Sequence, residues 1–394
     1  MKNGWVSKRL EDIGKTQTGS TPKTSEKKYF GDSIPFVKPA DFAADGSLNY
    51  GNDGLSVLGL KKSRRVPAGS VLMVCIGATI GKCGYCDLDV TTNQQINSLT
   101  PRDGVLHKFV YYQMLTADFQ RRVMLSSAQA TLPIISKSKW SQLTVTLPSL
   151  PEQRRIVGFL DEAFDGIATA KANAEKNLQN ARALFESHLQ SVFSQRGEGW
   201  ANKPLVTLCT LFVDCAHRTP KYQAEGIPAL RPRDVVNGNL VLSGAARVSQ
   251  EEYEIQSKRH KPTGGDIVYS RELSYGWGAI LPESPRVCLS QGMCVFRPSA
   301  GLDSAFLLYV LNGSVAREQA VRAAVGTAHP HINLCDIKSY QIPLPPLDEQ
   351  IRVTQKLDFL RDETQRLSSL YQRKLAALEA LKKSLLHQAF SGEL

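Results

Sequence analysis

The sequence contains one pattern twice, and this repeat constrains the fold more than any other feature. The segment LPSLPEQ at residues 147–153 recurs as LPPLDEQ at residues 344–350, which is 197 residues later. The same offset aligns Phe109 with Phe306, and the chain length of 394 residues is twice 197. A fixed period of this kind indicates a duplicated structural unit. We therefore expect each part of the fold to occur twice.

The first part of each copy is predicted to be a globular module of mixed α/β (α+β) class. Short β-type runs bounded by glycine occur at residues 71–76 and 266–269. Helical spacing of apolar residues predicts one helix over residues 109–125 and another over residues 304–325.

The second part of each copy is predicted to be one long helix. Apolar residues recur at alternating steps of four and three, which is the heptad pattern of a coiled coil, and no proline interrupts it. We expect the two helices to form an antiparallel intramolecular coiled coil, and the alternative is that each helix packs on its own module. The predicted seam consists of Leu160, Phe164, Ile167, Leu178 and Phe185 in the first helix and Leu357, Leu360, Leu367, Leu378 and Leu385 in the second.

Composition excludes several classes of protein. The apolar content of 42% and charged content of 22% are typical of a globular chain and exclude a disordered or collagen-like one. No apolar run approaches the ~18 residues of a membrane-spanning helix, and the start of the chain does not resemble a signal peptide. The eight scattered cysteines then indicate reduced thiols in a cytoplasmic protein.

The positive charge is concentrated in the first module. Of the net charge of +11, residues 1–150 carry +8, from 19 basic and 11 acidic side chains. A basic globular surface favours an anionic partner, most simply nucleic acid. The alternative is a solvated surface whose charge serves solubility.

Motifs for catalysis and for metal or nucleotide binding are incomplete. The segment GATIGK at residues 77–82 resembles a phosphate-binding loop, but it has three residues between its glycines and Cys83 where a serine or threonine is needed. Cys83 and Cys86 have the spacing of zinc ligands without a second pair. No adenine-methyltransferase motif and no nuclease cluster is recognisable. We therefore predict no catalytic site, no metal site and no cofactor in this chain.

The two Leu-(Pro/Asp)-Glu-Gln boxes, each with a module before it and a helix after it, are similar to the specificity subunit of a type I restriction–modification system. The resemblance covers the whole chain and implies two target-recognition domains that each read half of a bipartite DNA target, with the helices as spacer. The implied domains are 1–148 and 198–345, followed by spacer helices 149–197 and 346–394.

The resemblance also implies the partners. These are double-stranded DNA, two modification (methyltransferase) subunits and restriction (motor-nuclease) subunits, without a membrane. The partner subunits would use S-adenosylmethionine, ATP and Mg²⁺.

Two alternative functions are a fused methyltransferase–nuclease and a coiled-coil scaffold without a nucleic-acid role. The missing catalytic motifs argue against the first alternative. The basic charge of the first module argues against the second.

Candidate DNA contacts are the basic and amide side chains in the loops of each module, since these groups bind base edges and phosphates. The turn at residues 271–278 differs from its counterpart at residues 76–82, which predicts that the two modules read different sequences. For each single residue, the alternative is a solvated surface side chain. The candidates are Ser20, Thr21, Lys23, Lys38, Lys61, Lys62, Arg64, Arg65, Thr79, Lys82, Asn93, Gln94 and Gln95 in the first module, and His217, Arg218, Lys221, Arg231, Arg233, Lys258, Arg259, Lys261, Arg271, Tyr275 and Trp277 in the second.

Overall fold

Two compact units make up the computed structural model, which describes residues 4–127 and 132–393. The first unit combines the chain up to residue 175 with the segment from residue 373 onward, and the second spans residues 176–372. Each unit therefore contains one module and parts of both long helices. Among the described residues, no helix combines the length and apolar composition of a membrane-spanning segment.

The described residues of the first module form ten strands and five short helices. In chain order they are β1 (Val6–Arg9), α1 (Leu10–Ile13), β2 (Gly14–Thr18), β3 (Phe30–Val37), β4 (Gly54–Leu55), α2 (Val57–Leu60), β5 (Arg65–Val66), β6 (Ser70–Val74), β7 (Cys83–Cys86), β8 (Val90–Thr92), β9 (Ile96–Pro101), α3 (His107–Met114), α4 (Ala117–Ser126), α5 (Lys137–Ser141) and β10 (Thr144–Leu147). One sheet has the order β2-β9-β6-β7 and is antiparallel. A second has the order β4-β3-β8-β5 with β3 and β8 parallel, and β1 pairs with β10. Helix α6 (Leu150–Ser194) follows.

The second module repeats this plan. Its elements are β11 (Ala201–Pro204), β12 (Cys209–Asp214), β13 (Tyr222–Gln223), β14 (Ile227–Leu230), β15 (Val235–Val236), β16 (Asn239–Leu240), β17 (Ala246–Val248), α7 (Gln250–Gln256), β18 (Ile267–Ser270), β19 (Gly278–Ile280), β20 (Cys288–Leu289), β21 (Met293–Pro298), α8 (Ser304–Asn312), α9 (Ser314–Ala323), α10 (Leu334–Lys338) and β22 (Gln341–Leu344). The antiparallel sheet is β12-β21-β18-β19, and the mixed sheet is β13-β17-β14-β20. Strands β11 and β22 pair, as do β15 and β16, and helix α11 (Leu347–Ser391) follows. The predicted mixed fold and internal repeat are confirmed.

The prediction of one helix over residues 109–125 is wrong in one respect, because the structure has two helices in this range. Helix α3 ends at Met114 and α4 begins at Ala117, where the Thr116 side chain accepts a hydrogen bond from the Phe119 amide. A side-chain cap of this kind starts a new helix and ends the continuity of the old one. The helix predicted over residues 304–325 is likewise divided, at Gly313, whose backbone is extended.

In the first unit, the beginning of α6 packs against the end of α11. Leu160 lies in one hydrophobic cluster with Leu386 and Ala389, and Lys171 pairs with Glu379 at 2.8 Å. The residue numbers rise along one helix as they fall along the other, so the helices are antiparallel, as predicted. The alternative also holds in part, because the same cluster includes residues of the module, and the Phe390 ring lies 5.2 Å from that of Phe109.

The second unit has the complementary arrangement. Leu189 and Phe193 near the end of α6 share a hydrophobic cluster with Leu357 near the beginning of α11. The Phe193 ring lies 5.7 Å from that of Phe306 in the second module. Each module core is therefore completed by the carboxy-terminal part of the helix that belongs to the other repeat. All ten predicted seam residues are buried or half-buried.

The repeated glutamine of the two boxes joins each long helix to its module. The Gln153 carbonyl accepts the Leu106 amide at 3.0 Å, while its amide donates to the carbonyls of Gly104 and Pro148, both at 3.1 Å. Gln350 forms the same three bonds, from the Asp303 amide and to the carbonyls of residues 301 and 345. Both side chains are 1% exposed. A buried amide with these partners satisfies backbone groups that water cannot reach.

We expect Gln350→Ala to lower the free energy of unfolding of the second unit by about 2–3 kcal/mol, because it leaves buried backbone groups unpaired. Gln355→Ala, at an exposed position of the same helix, is the matched control and should change it by less than about 0.5 kcal/mol. Urea denaturation followed by circular dichroism measures both. Equal midpoints for the two variants would contradict the role assigned to Gln350.

Candidate nucleic-acid interface

Strand direction brings the candidate loops of the first module to one end of its antiparallel sheet. Thr18 at the end of β2 pairs with Asn97, and Val74 at the end of β6 pairs with Ile96, so the ends of β2 and β6 meet the beginning of β9. The mixed sheet adjoins the same place, because the Asn93 amide donates to the Val37 carbonyl at 3.2 Å. The loops that follow or precede these strands form what we call the first edge: residues 18–23, 38, 61–65, 75–82 and 93–95.

Hydrogen bonds connect the loops of the first edge. The Thr21 hydroxyl donates to the Gln94 side-chain carbonyl at 2.5 Å, and the Ser63 hydroxyl donates to the Ser20 carbonyl at 2.9 Å. Arg64 Nη1 donates to the Thr18 carbonyl at 2.7 Å. The structure thus gathers the candidates of the first module at one edge.

The cations of the first edge fall into two groups. Lys38 pairs with Asp53 at 2.7 Å, and Arg65 pairs with Asp89. Lys61, Lys62 and Arg64 are exposed and Lys82 is half-exposed, and among the described residues these four have no ion-pair partner, although Arg64 donates to the Thr18 carbonyl. The unpaired lysines can approach a phosphate without giving up an existing ion pair.

The second module has an equivalent edge. Asp214 at the end of β12 pairs with Cys294, and Ser270 at the end of β18 pairs with Met293. The second edge consists of the loops that begin or end there, residues 214–221, 271–277 and 290–292, together with residues 231–233, which follow β14, and residues 258–261, which follow α7. Arg259 joins two of these loops, because its Nη1 donates to the Cys215 carbonyl at 2.8 Å.

Arg271 lies inside the second edge, whereas a DNA contact requires an accessible side chain. It is 8% exposed, its Nη1 binds the Asp214 carboxylate, and its Nε donates to the Ile332 carbonyl at 3.1 Å. The backbone contacts of Arg271 match those of Cys75 in the first module, so the arginine occupies a core position. The other Asp214 oxygen lies 2.8 Å from Nε2 of His217, an exposed residue with a φ of 49°. The buried guanidinium therefore supports the loop that carries His217.

Other cations of the second edge are also paired. Arg218 pairs with the buried Glu252 at 2.9 Å, Arg231 with Asp234 at 3.1 Å, and Lys261 with Glu254 at 2.7 Å. Among the described residues of the second edge, several exposed cationic candidates have no ion-pair partner. They are Lys221, Arg233 and Lys258, and a fourth is Arg259, which donates only to the Cys215 carbonyl.

Comparison with known proteins identifies the family. The sequence model of the type I restriction modification DNA specificity domain matches twice, over residues 2–179 and 198–379. The chain belongs to this family.

Relatives and solved structures agree with this specificity-domain assignment. The type I restriction enzyme MjaIX specificity subunit of Methanocaldococcus jannaschii is 24% identical over 99% of this chain and 93% of that protein. The EcoBI specificity subunit of Escherichia coli is 20% identical over 100% of this chain and 86% of that protein. The HsdS subunit of Thermoanaerobacter tengcongensis, at 18% identity, has the same fold with a TM-score of 0.67 over 100% of this chain and 98% of that one. A chain solved in work on complex assembly of the type I R–M system has a TM-score of 0.80, at 18% identity, over 100% of this chain and 99% of that one.

The acidic residues that support the edges of this type I specificity chain were absent from the sequence prediction. Asp41 accepts the Lys38 amide at 2.6 Å, and Asp234 accepts the Arg231 amide at 2.8 Å. Both close a short turn, in KPAD and RPRD segments that occupy equivalent positions in the two repeats. This repetition is a sequence signal that could have identified them.

The two cysteines with zinc-ligand spacing have separate contacts. The Cys83 thiol donates to the Gly81 carbonyl and the Cys86 thiol to the Pro67 carbonyl, both at 3.2 Å. No group of three or more potential metal ligands occurs in the part of the chain that the structure describes. Burial raises the pKa of Cys86 to about 11 and that of Cys75 to about 12, and it raises the pKa of Cys83 further.

We expect iodoacetamide to alkylate Cys335, which is exposed, much faster than the buried Cys75, Cys83 and Cys86, because the thiolate is the reactive form and burial suppresses it. Peptide mass spectrometry after timed labelling measures the rates. Prior treatment with a chelator is the control and should leave the pattern unchanged. Chelator-dependent labelling of Cys83 and Cys86 would instead indicate a bound metal.

Proposed function

We propose that this chain is the DNA-reading specificity subunit of a type I restriction–modification complex, with one half of a bipartite target read at each edge. The observation that carries the proposal is the convergence of base-reading and phosphate-binding residue types at one edge of each module. The membership of both repeats in a DNA specificity family supports it.

The two edges differ in chemistry, which supports two different half-sites. The first edge presents amides and unpaired lysines around a small turn that contains Thr79. The second presents several arginines, of which Arg218 and Arg231 are ion-paired, and the aromatic residues Tyr275 and Trp277 in the equivalent turn. Amide and guanidinium groups prefer different bases, so one protein with these edges selects an asymmetric target.

The subunit itself is proposed to be non-catalytic and cytoplasmic. Methyl transfer from S-adenosylmethionine would belong to two modification subunits, and ATP- and Mg²⁺-dependent translocation and cleavage would belong to restriction subunits. The long helices α6 and α11 would bind the modification subunits and determine the length of the unread spacer. Both pass without interruption from one compact unit into the other, which supports the spacer role.

We expect the chain to bind duplex DNA with a slope of log K against log salt of about −5 or steeper, from six or more phosphate contacts. Replacing Lys61 and Lys62 together with alanine should make the slope shallower by about 2, because each neutralised phosphate contributes about 0.9. Lys374→Ala, an exposed lysine of helix α11, is the control. Fluorescence anisotropy with a labelled duplex measures the slopes. A slope near zero for the parent chain would exclude DNA reading.

The spacer role has its own test. We insert four residues into each long helix, after Glu175 in α6 and after Gln372 in α11, where the chain passes between the units. Four residues add about one turn and ~6 Å to each helix, and a base pair spans ~3.4 Å. The two half-sites should therefore move apart by one or two base pairs while their sequences stay the same. Genome-wide mapping of methylated adenines in cells with the complete system gives the result. Full activity at the parental spacing would show that the helices do not determine it.

A further inference from the structure

A tight turn that carries candidate DNA contacts closes each edge, and the two turns share one unusual feature. The turn between β6 and β7 contains Gly81 with a φ of 88°, and the turn between β18 and β19 contains Gly276 with a φ of 83°. Over each glycine lies a side chain from a helix of the same module: Gln120 of α4 and Arg317 of α9. These residues are 197 positions apart, so they occupy equivalent places in the repeat.

In the first module, Gln120 holds the turn through its backbone. Its Nε2 donates to the Gly81 carbonyl at 2.9 Å and to the Met114 carbonyl at 2.7 Å, so it joins the turn to the end of helix α3. A Cβ atom at Gly81 would lie 2.2 Å from Oε1 of Gln120. A side chain at residue 81 would collide with Gln120, so this contact requires glycine at position 81 as well as glutamine at position 120.

In the second module, Arg317 makes an equivalent contact and adds another. Its Nη1 donates to the Tyr275 carbonyl at 2.7 Å, and its guanidinium lies 4.2 Å from the centroid of the Trp277 ring. A Cβ atom at Gly276 would lie 2.6 Å from Nη1 of Arg317. Stacking on an aromatic face and donation to a carbonyl together fix both the backbone and the indole orientation.

We propose that Gln120 and Arg317 are positioning residues that determine base preference, each at its own half-site, by holding the recognition turn in one conformation. This inference rests on the proposed function. Between its strands each turn contains one isolated β-bridge and a few backbone turn bonds, so side-chain contacts such as these contribute to its shape. The first repeat uses a neutral amide and the second a cation with an aromatic partner, so a change at this position alters the reading of DNA without changing a reading side chain.

The test compares Arg317→Ala, Arg317→Gln and Gln120→Ala in the full chain. Adenine methylation mapping of the parental system first defines the two half-sites. Binding is then measured to the matched duplex, to duplexes with one half-site mismatched, and to unrelated DNA. Arg317→Ala should reduce discrimination at one half-site about tenfold, the combined effect of one hydrogen bond and one cation–π contact. Gln120→Ala should reduce it only at the other half-site. Arg317→Gln, which keeps a donor for the carbonyl, should have an intermediate effect.

Two further measurements separate positioning from other roles. Tryptophan fluorescence of the free protein should change for Arg317→Ala, because Arg317 contacts Trp277. It should not change for Gln120→Ala, because Gln120 lies in the other module. Affinity for unrelated DNA and its salt slope should stay unchanged. A uniform loss of affinity with a slope shallower by about 1 would show a phosphate contact and overturn the proposal.

Folding is controlled separately. If Arg317→Ala unfolds, Arg317→Gln decides the result, and unchanged discrimination by a folded variant overturns the inference. A parental chain that discriminates neither half-site would refute the proposed function itself, which distinguishes that failure from the failure of the positioning role.

Discussion

The buried amides of Gln153 and Gln350 are the interaction on which the arrangement of each unit depends. Each amide binds three backbone groups at once: one in the segment that precedes its own long helix, and two in the loop that precedes the module helix α3 or α8. Only an uncharged side chain with a donor and an acceptor can satisfy this set of partners. Glutamate would place a charge in a buried site and lose the two donated bonds. The glutamine of the box thereby fixes the direction in which α6 or α11 leaves its module.

This direction matters because neither repeat completes its own core. Phe390, near the end of the second repeat, packs on Phe109 of the first module, and Phe193 of the first repeat packs on Phe306 of the second. Deleting one repeat would expose an apolar surface on the module that remains. Each repeat thus supplies the helix end that completes the core of the other module. A change in the length of one helix alone would disturb both cores. For this reason the spacer test lengthens both helices together.

Sequence patterns predicted what depends on local order and missed what depends on distant partners. The repeat, the mixed modules and the long helices follow from spacing within the chain, and the structure confirms them. The heptad did not include Leu189 and Phe193, because the end of α6 turns a face toward the second module as well as toward α11. Arg271 was predicted to contact DNA from its residue type, but its position is determined by Asp214, 57 residues away in the chain. The candidate loops could be predicted because strand ends carry them, and the repeated KPAD and RPRD segments could have identified Asp41 and Asp234. Asp214 and Glu252 could not be predicted, because each pairs with an arginine that is distant in the chain.

Ion pairing divides the basic residues of the edges into two classes with different physical effects. In the second edge, Arg218, Arg231 and Arg271 are held by Glu252, Asp234 and Asp214, so their charges are largely compensated and their geometry is fixed. This agrees with the charge distribution, since residues 198–346 contain 15 basic and 13 acidic side chains, whereas the first 150 residues have an excess of eight basic ones. Long-range attraction of a polyanion depends on uncompensated charge, whereas base discrimination depends on donors whose positions are fixed before binding. Under the proposed function, we therefore expect the first module to contribute more to attraction and the second to contribute mainly through the preformed shape of its edge.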